Sequence, residues 1–334
     1  MHIERLDALD LDLDTADAMA AVQAASLDAA GLELPRPVGP TTLKALQLGS
    51  SRRPSAGVWV ARNHDGVLGF AVARLPHEDN TDTAHLSGHV HPDARRRGVG
   101  RALLAEAVAL AGSAGRTKIY SGAWQGDVGG AALEAMGFSS QGLGVNAVRR
   151  LDLHTAGTGL WERVYDEALG HAGDYELLHQ VGPTPDHLLD DMMKLHAAIN
   201  DAPLDDPEAE HGAWDVDRLR AYDEAMAGRQ QTVYRVMARH RASGEWAGLS
   251  ILCVDEFQPT VAFQEDTSVV RAHRGHRLGL LMKADMLRWI SEERPEVAAT
   301  DTWNATTNHH MIAVNERLGA TVIAHHQTYR LRET

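Results

Sequence analysis

The chain has 334 residues, 44% hydrophobic and 23% charged, and its 46 acidic side chains outnumber 32 basic ones for a formal net charge of -14. This composition excludes a disordered or fibrous protein and leaves length for two cores, and the acidic balance argues against a nucleic-acid surface. Cys253 is the single cysteine, so no internal disulfide and no cysteine-based metal cluster can form.

The first residues carry Asp7, Asp10, Asp12 and Asp14 rather than a basic region before an apolar run. No leader and no membrane span is visible, so a cytoplasmic protein is expected. A strand over 3–6 precedes a helix from about 15 to 30, where Ala, Met, Val and Leu recur at helical spacing and Gly31 follows. Pro35, Pro37 and Pro40 mark a turn, Thr41 or Thr42 can cap a short helix to Leu48, and Gly49-Ser50-Ser51 comes next. The pattern then alternates. Runs 57–61 and 67–73, joined through Asp65-Gly66, predict a hairpin, and a further strand ends at Val90.

That strand feeds Arg95-Arg96-Arg97-Gly98-Val99-Gly100-Arg101, and a helix follows to about Ala111. Strand, glycine turn and helix start make an anion site, because glycine permits close backbone approach and the first helical turn has free N–H groups. A strand over 118–120, a helix over 129–136 closed by Gly137, and a final strand over 145–153 complete the first half.

Residues 153–173 read as a linker containing a helix over 160–169, on which Trp161, Val164, Tyr165 and Leu169 share a face. The second half repeats the first: strand 176–181, a Leu- and Met-rich helix from about 184, an acidic loop over 200–211, and a helix from Asp215 or Asp217 towards Met226. Strands 232–236, 247–254 and 261–270 follow, then a second turn, Arg274-Gly275-His276-Arg277-Leu278-Gly279, and a helix over 278–290. Strand 297–303, helix 308–318 and strand 321–331 end the chain. The matching order predicts a duplication with domains over 1–152 and 174–334. Cys253, in an apolar strand, reads as a buried thiol.

Neither turn has the complete spacing of a dinucleotide fingerprint or a Walker loop. Arg95, Gly98 and Gly100 instead resemble the Arg/Gln-x-x-Gly-x-Gly/Ala turn of the GNAT acetyltransferases, with Val90, His91 and Pro92 as the lead-in and Gly137-Phe138 as the late Gly-Phe. In the second copy Arg274 and Gly279 fit, Arg277 replaces the first glycine, and Ala320 stands where the aromatic would be. The block Thr302-Trp303-Asn304-Ala305-Thr306-Thr307-Asn308, with Asn315-Glu316-Arg317-Leu318-Gly319, resembles the C-terminal half of tandem actinobacterial proteins of the mycothiol-synthase type.

This resemblance implies an α/β (α+β) fold class: two tandem GNAT domains, each with a mixed, mostly antiparallel central sheet flanked by helices and a splayed acyl-CoA cleft. It implies acetyl-CoA as cofactor, held by Val90, Arg95, Arg96, Arg97, Gly98, Val99, Gly100 and Arg101 in the first domain. In the second it implies Val269, Arg274, Gly275, His276, Arg277, Leu278 and Gly279, with Asn304 and Asn308 orienting cofactor or substrate. Capping alone would also account for Asn308.

The implied reaction is direct attack of a small amine on the thioester, and the acidic chain suits a cationic amine. Glu265, beside Asp266, is the candidate base, its other reading being a solvated strand carboxylate. The family's tyrosine acid is missing, because Leu133 and Asn315 occupy its positions. Tyr329 is the candidate replacement, Tyr120 its parallel in the first domain, and solvent a third proton source. His85 and His89 face one side of a strand without a third ligand, so no metal is expected. The partners expected are a small amine, no nucleic acid and no membrane, in a monomer or homodimer. A CoA-binding sensor without turnover, and O-acyl or longer-chain acyl transfer, remain alternatives.

Overall fold

The structure, a computed structural model, describes residues 1–49, 53–154, 159–201 and 212–332. Ser50, Ser51, linker residues 155–158 and the acidic loop from 202 to 211 lie outside the described residues. In chain order the elements are β1 (His2–Leu6), α1 (Leu13–Ala29), α2 (Gly39–Leu48), β2 (Gly57–Asn63), β3 (Gly66–Arg74), β4 (Thr83–Val90), α3 (Val99–Ser113), β5 (Lys118–Trp124), α4 (Gly129–Ala135), β6 (Phe138–Ser139) and β7 (Val145–Asp152). There follow α5 (Leu160–Leu169), β8 (Tyr175–Val181), α6 (Leu189–Ala197), α7 (Val216–Gly228), β9 (Gln231–His240), β10 (Trp246–Asp255), β11 (Val261–Val269), α8 (Leu278–Glu293), β12 (Ala299–Ala305), α9 (His309–Arg317) and β13 (Thr321–Leu331). Side-chain caps set several helix starts: Asp12 accepts the Thr15 amide, Asp215 the Arg218 amide and Asn308 the Met311 amide.

Contacts divide the chain into two units. Among the described residues the first contains 1–146 and 323–332, the second 147–201 and 212–322. The expected cut within 153–173 is therefore not where these contacts divide the chain. The last strand, β13, serves the first unit, and β7 serves the second. Strand pairing is non-local, so order along the chain does not decide which sheet a closing strand joins.

In the first unit β1-β2-β3-β4-β5-β13 are neighbours, antiparallel except for the parallel β4–β5 pair. One face of this sheet carries a core of Trp59, Leu86, Leu103, Ile119, Leu133 and Phe138 under α3 and α4. The other buries Met19, Val22, Leu46, Val58 and Phe70 beneath α1 and α2. In the second unit the order is β7-β12-β11-β10-β9-β8, with β11–β12 the parallel pair. Helices α5, α8 and α9 cover one face, where α8 buries Leu278, Leu281, Met282, Met286, Leu287 and Ile290. Helices α6 and α7 cover the other, packing Met192, Leu195 and Leu219 onto Met237, Ile251 and Cys253. Cys253 is 4% exposed, and burial raises its thiol well above the ordinary value.

Candidate acyl-CoA sites

Each unit presents the same two features at the end of its fourth strand. The first is a splay. Strands β4 and β5 pair from Thr83↔Lys118 to His85↔Tyr120, and β11 and β12 from Val261↔Ala299 to Gln264↔Thr302, after which both pairs diverge. The second is the turn into α3 or α8. Arg96 (φ +62°) and Gly98 (φ +82°) are left-handed in the first turn, Gly275 (φ +90°) and Arg277 (φ +55°) in the second. The two turns thus share one backbone path, each with a glycine at one left-handed position and an arginine at the other. Left-handed residues of this kind turn consecutive N–H groups into an anion-binding concavity at the helix N-terminus.

The arginines that open each turn motif are occupied elsewhere. Arg95 donates to the Val90 carbonyl (3.4 Å) and to Ser26 Oγ (2.9 Å), and lies 3.6 Å from Asp127. Arg274 donates to the Val269 carbonyl at 3.1 Å. Both tie the turn back to the strand before it. Arg277 is bound by Glu167 of α5, which also pairs with Arg317, and the His276 ring packs 5.3 Å from that of Tyr175. Arg96, Arg97 and Arg101 are exposed at the first turn. Val99 and Leu278 are buried, fixing their helices to the sheet.

These geometries find matches among known proteins. Residues 54–139 match the model of an acetyltransferase (GNAT) domain. A tandem GNAT protein from the clavulanic acid biosynthesis pathway is similar over 98% of both chains, with 27% identity and a TM-score of 0.78. The chain has a tandem GNAT-type fold. A GCN5-related N-acetyltransferase from Sphaerobacter thermophilus shares this fold at 14% identity, covering 98% of this chain and 95% of its own, with a TM-score of 0.68. A GNAT-family acetyltransferase from Colwellia psychrerythraea shares the fold at 12% identity over 99% and 100% of the chains, with a TM-score of 0.56. No curated protein matches the sequence. The fold supports binding of CoA and acyl-CoA-dependent acyl transfer. No helix among the described residues is long and apolar enough to cross a membrane.

The two units differ at the splay itself. Strand β4 runs in unbroken register against β3, from Gly69↔Val90 to Arg74↔His85. Strand β11 does not: the register against β10 shifts between Ser250↔Thr267 and Leu252↔Gln264, so Glu265 and Asp266 together oppose Ile251. This is a β-bulge, which leaves an extra residue outside the ladder. Gln264 Nε2 donates to the Ile251 carbonyl at 2.5 Å, satisfying an acceptor at the break.

Glu265 accepts a 2.6 Å hydrogen bond from the Tyr222 hydroxyl of α7. Asp266 is exposed on β11, yet desolvation by the surrounding protein, and then the Glu265 charge, push its carboxyl up to about 6. Tyr222 also belongs to an aromatic group with His196 and Trp214, whose rings lie 4.2 Å apart. That group lay outside sequence reasoning, since three aromatic residues spread over 196–222 give no motif. On the first unit's fourth strand, which carries no carboxylate, burial lowers His85 and lowers His89 to about 4, and Ser87 stands at the position of the second unit's Glu265–Asp266 bulge. Among the described residues no group of three His, Cys, Asp or Glu could hold a metal ion.

The structure divides the two candidate catalytic residues between the units. Glu265 is in the second. Tyr329 is in the first, on β13 opposite Ser121 of β5, where burial and the Glu134 charge raise its hydroxyl above the ordinary value. Tyr120, the parallel candidate, is buried on β5. Asn304 accepts from the Asn315 amide at 2.6 Å, and Asn308 caps α9.

Proposed function

We propose that the protein is an N-acyltransferase that moves an acyl group directly from a CoA thioester to a small amine, acetyl-CoA being the donor expected from the sequence, with the second unit catalytic. The observation that carries this reading is the bulge at Glu265–Asp266, found at the splay of the second unit and missing from the regular strand of the first.

In this reading the CoA diphosphate lies on the amides of 275–279, and the pantetheine follows β11 to the splay. Five residues separate Val269 from Gln264, a run of about 17 Å at 3.3 Å per residue, which suits a pantetheine arm. The amide that the bulge frees from the ladder is a donor for the thioester oxygen. The amine nitrogen attacks the carbonyl carbon, the C–S bond breaks as the tetrahedral intermediate collapses, and the amine proton passes to Asp266. A carboxyl near 6 is a better base at neutral pH than an ordinary aspartate. Glu265, fixed by Tyr222, adds to the effect of desolvation on Asp266. The Tyr222 ring beside the Glu265 carboxylate suits a cationic amine. The thiolate takes its proton from solvent, since Asn315 fills the place of the family tyrosine. The first unit, with its Tyr329 hydroxyl but no carboxylate on β4, serves as a CoA-binding domain.

The test is release of free CoA from acetyl-CoA across a broad panel of amines. Amine-dependent release supports the proposal. Binding of CoA with no release for any amine or acyl donor would make the protein a sensor instead.

A further inference from the structure

A small cavity lies in the second unit at the closed end of the splay. Its lining includes Arg149 of β7, Gln264 of β11, Lys283 of α8, Thr300 and Thr302 of β12, and Asn315 of α9. Gln264 and Thr302 are the last paired residues before the strands diverge, so the cavity adjoins the place where the proposed thioester ends. Arg149 and Lys283 are each only 5% exposed. Arg149 Nε and Nη1 are buried without a hydrogen-bond partner, and the influence on Lys283 is burial, which brings its ammonium down to about 7. No carboxylate is among the lining residues, and Glu316 acts on Arg149 only through its charge. Two cations buried together with no carboxylate in the cavity lining are costly.

The internal repeat supplies the control. Matching Val99 to Leu278, Gly137 to Gly319 and the pair Ala73↔Leu86 to Leu252↔Gln264 aligns the two units. Lys283 then corresponds to Leu104, Gln264 to Leu86, Thr300 to Ile119 and Asn315 to Leu133. Arg149-Arg150-Leu151 corresponds to Tyr329-Arg330-Leu331, since Arg330 pairs with Tyr120 and Arg150 binds the matching Asp301 at 2.7 Å. In the first unit these counterparts belong to one hydrophobic cluster. Five positions that pack hydrocarbon or a phenol in one copy converge as polar or cationic groups in the other, which core packing does not require.

We propose that this cavity binds a carboxylate, and that the second unit takes an acyl-CoA whose acyl chain ends in one. The source by chemistry is either that chain terminus or a free small anion. The space, roughly that of one water molecule, admits a halide or one oxygen of a carboxylate whose other atoms lie in the splay, but not a phosphate. The chain-terminus form rests on the acyl-CoA reading above; the anion site does not.

The full-length protein is titrated calorimetrically with succinyl-CoA, with butyryl-CoA, which has the same carbon count but a methyl end, and with free succinate and chloride. The same titrations use Lys283→Leu and Arg149→Tyr, side chains the first unit already carries at these positions, with Lys283→Met replacing Lys283→Leu should that variant not fold. We expect succinyl-CoA to bind about tenfold or more tighter than butyryl-CoA, the size of a charge-assisted contact, and the ratio to fall towards one in both variants. Free-anion binding lost in both variants, without a succinyl preference, assigns the site to a free anion. Free-anion binding with no CoA thioester bound rejects the acyl-CoA reading and keeps the anion site. Affinities for thioesters and anions that ignore both substitutions overturn the proposal.

Discussion

At the residue scale, the most consequential groups are charges held where water is scarce. Arg235 is fully buried, donates to Asp223 at 2.6 Å and to Gln180 at 2.8 Å, and Asp223 also accepts the Thr184 amide. Asp223→Ala strands that guanidinium and is expected to cost about 3–5 kcal/mol, read by urea unfolding. His196 is lowered to about 3 by burial and the Arg235 charge. Between about 3 and the unfolded value near 6.5 the unfolded chain binds the extra proton, so stability should fall as pH drops through that window. Thermal melts of the wild type and of His196→Phe should separate there, and parallel curves would contradict the assignment. Asp266 gives activity a pH dependence in the same direction. It is an effective base only after losing its proton, so kcat should rise with pH through about 6, and Asp266→Asn should remove that limb. The left-handed glycine and the turn arginines were legible because a short motif carries them. Lys283 and Arg149 were not: a lone lysine in a helix and an arginine in a strand read as solvated until the fold encloses them.

At the element scale, the turn into each helix sets what the strand before it can hold. Gly98 has open space around a would-be Cβ but a left-handed backbone. Gly98→Ala is therefore expected to strain the turn by about 1–2 kcal/mol without a clash. Gly98→Asp adds a negative charge beside the diphosphate and should abolish CoA binding at the first unit, seen as the loss of one binding site by calorimetry. Helix and strand order was readable from period and glycine placement, as with the Asp65-Gly66 hairpin and the Gly137 and Gly319 helix ends. The bulge in β11 was not, because it exists only as a mismatch with β10, and nothing in Glu265-Asp266 alone marks the extra residue.

At the scale of the whole molecule, the duplication was visible in the sequence, while the destination of the closing strands was not. Strand β13 pairs β5 over His326↔Trp124 to Arg330↔Tyr120 and pairs β6 through Arg330↔Ser139 and Leu331↔Phe138. Deleting the chain after Val322 should thus expose β5 and unfold the first unit, and hydrogen exchange should show protection lost over β2–β5, far from the deletion in sequence. The two copies have diverged in complementary ways: the first keeps the glycine turn with an apolar core behind the splay, the second keeps the carboxylates and a cationic cavity. The central claim, that acyl transfer occurs at the β11 bulge, is tested most directly by a crystal structure with an acyl-CoA bound. The account predicts a diphosphate on the amides of 275–279 and a thioester carbonyl at the Glu265–Asp266 bulge of the second unit. A thioester seated only in the first unit's cleft, with the second unit's splay empty at saturating ligand, would contradict it.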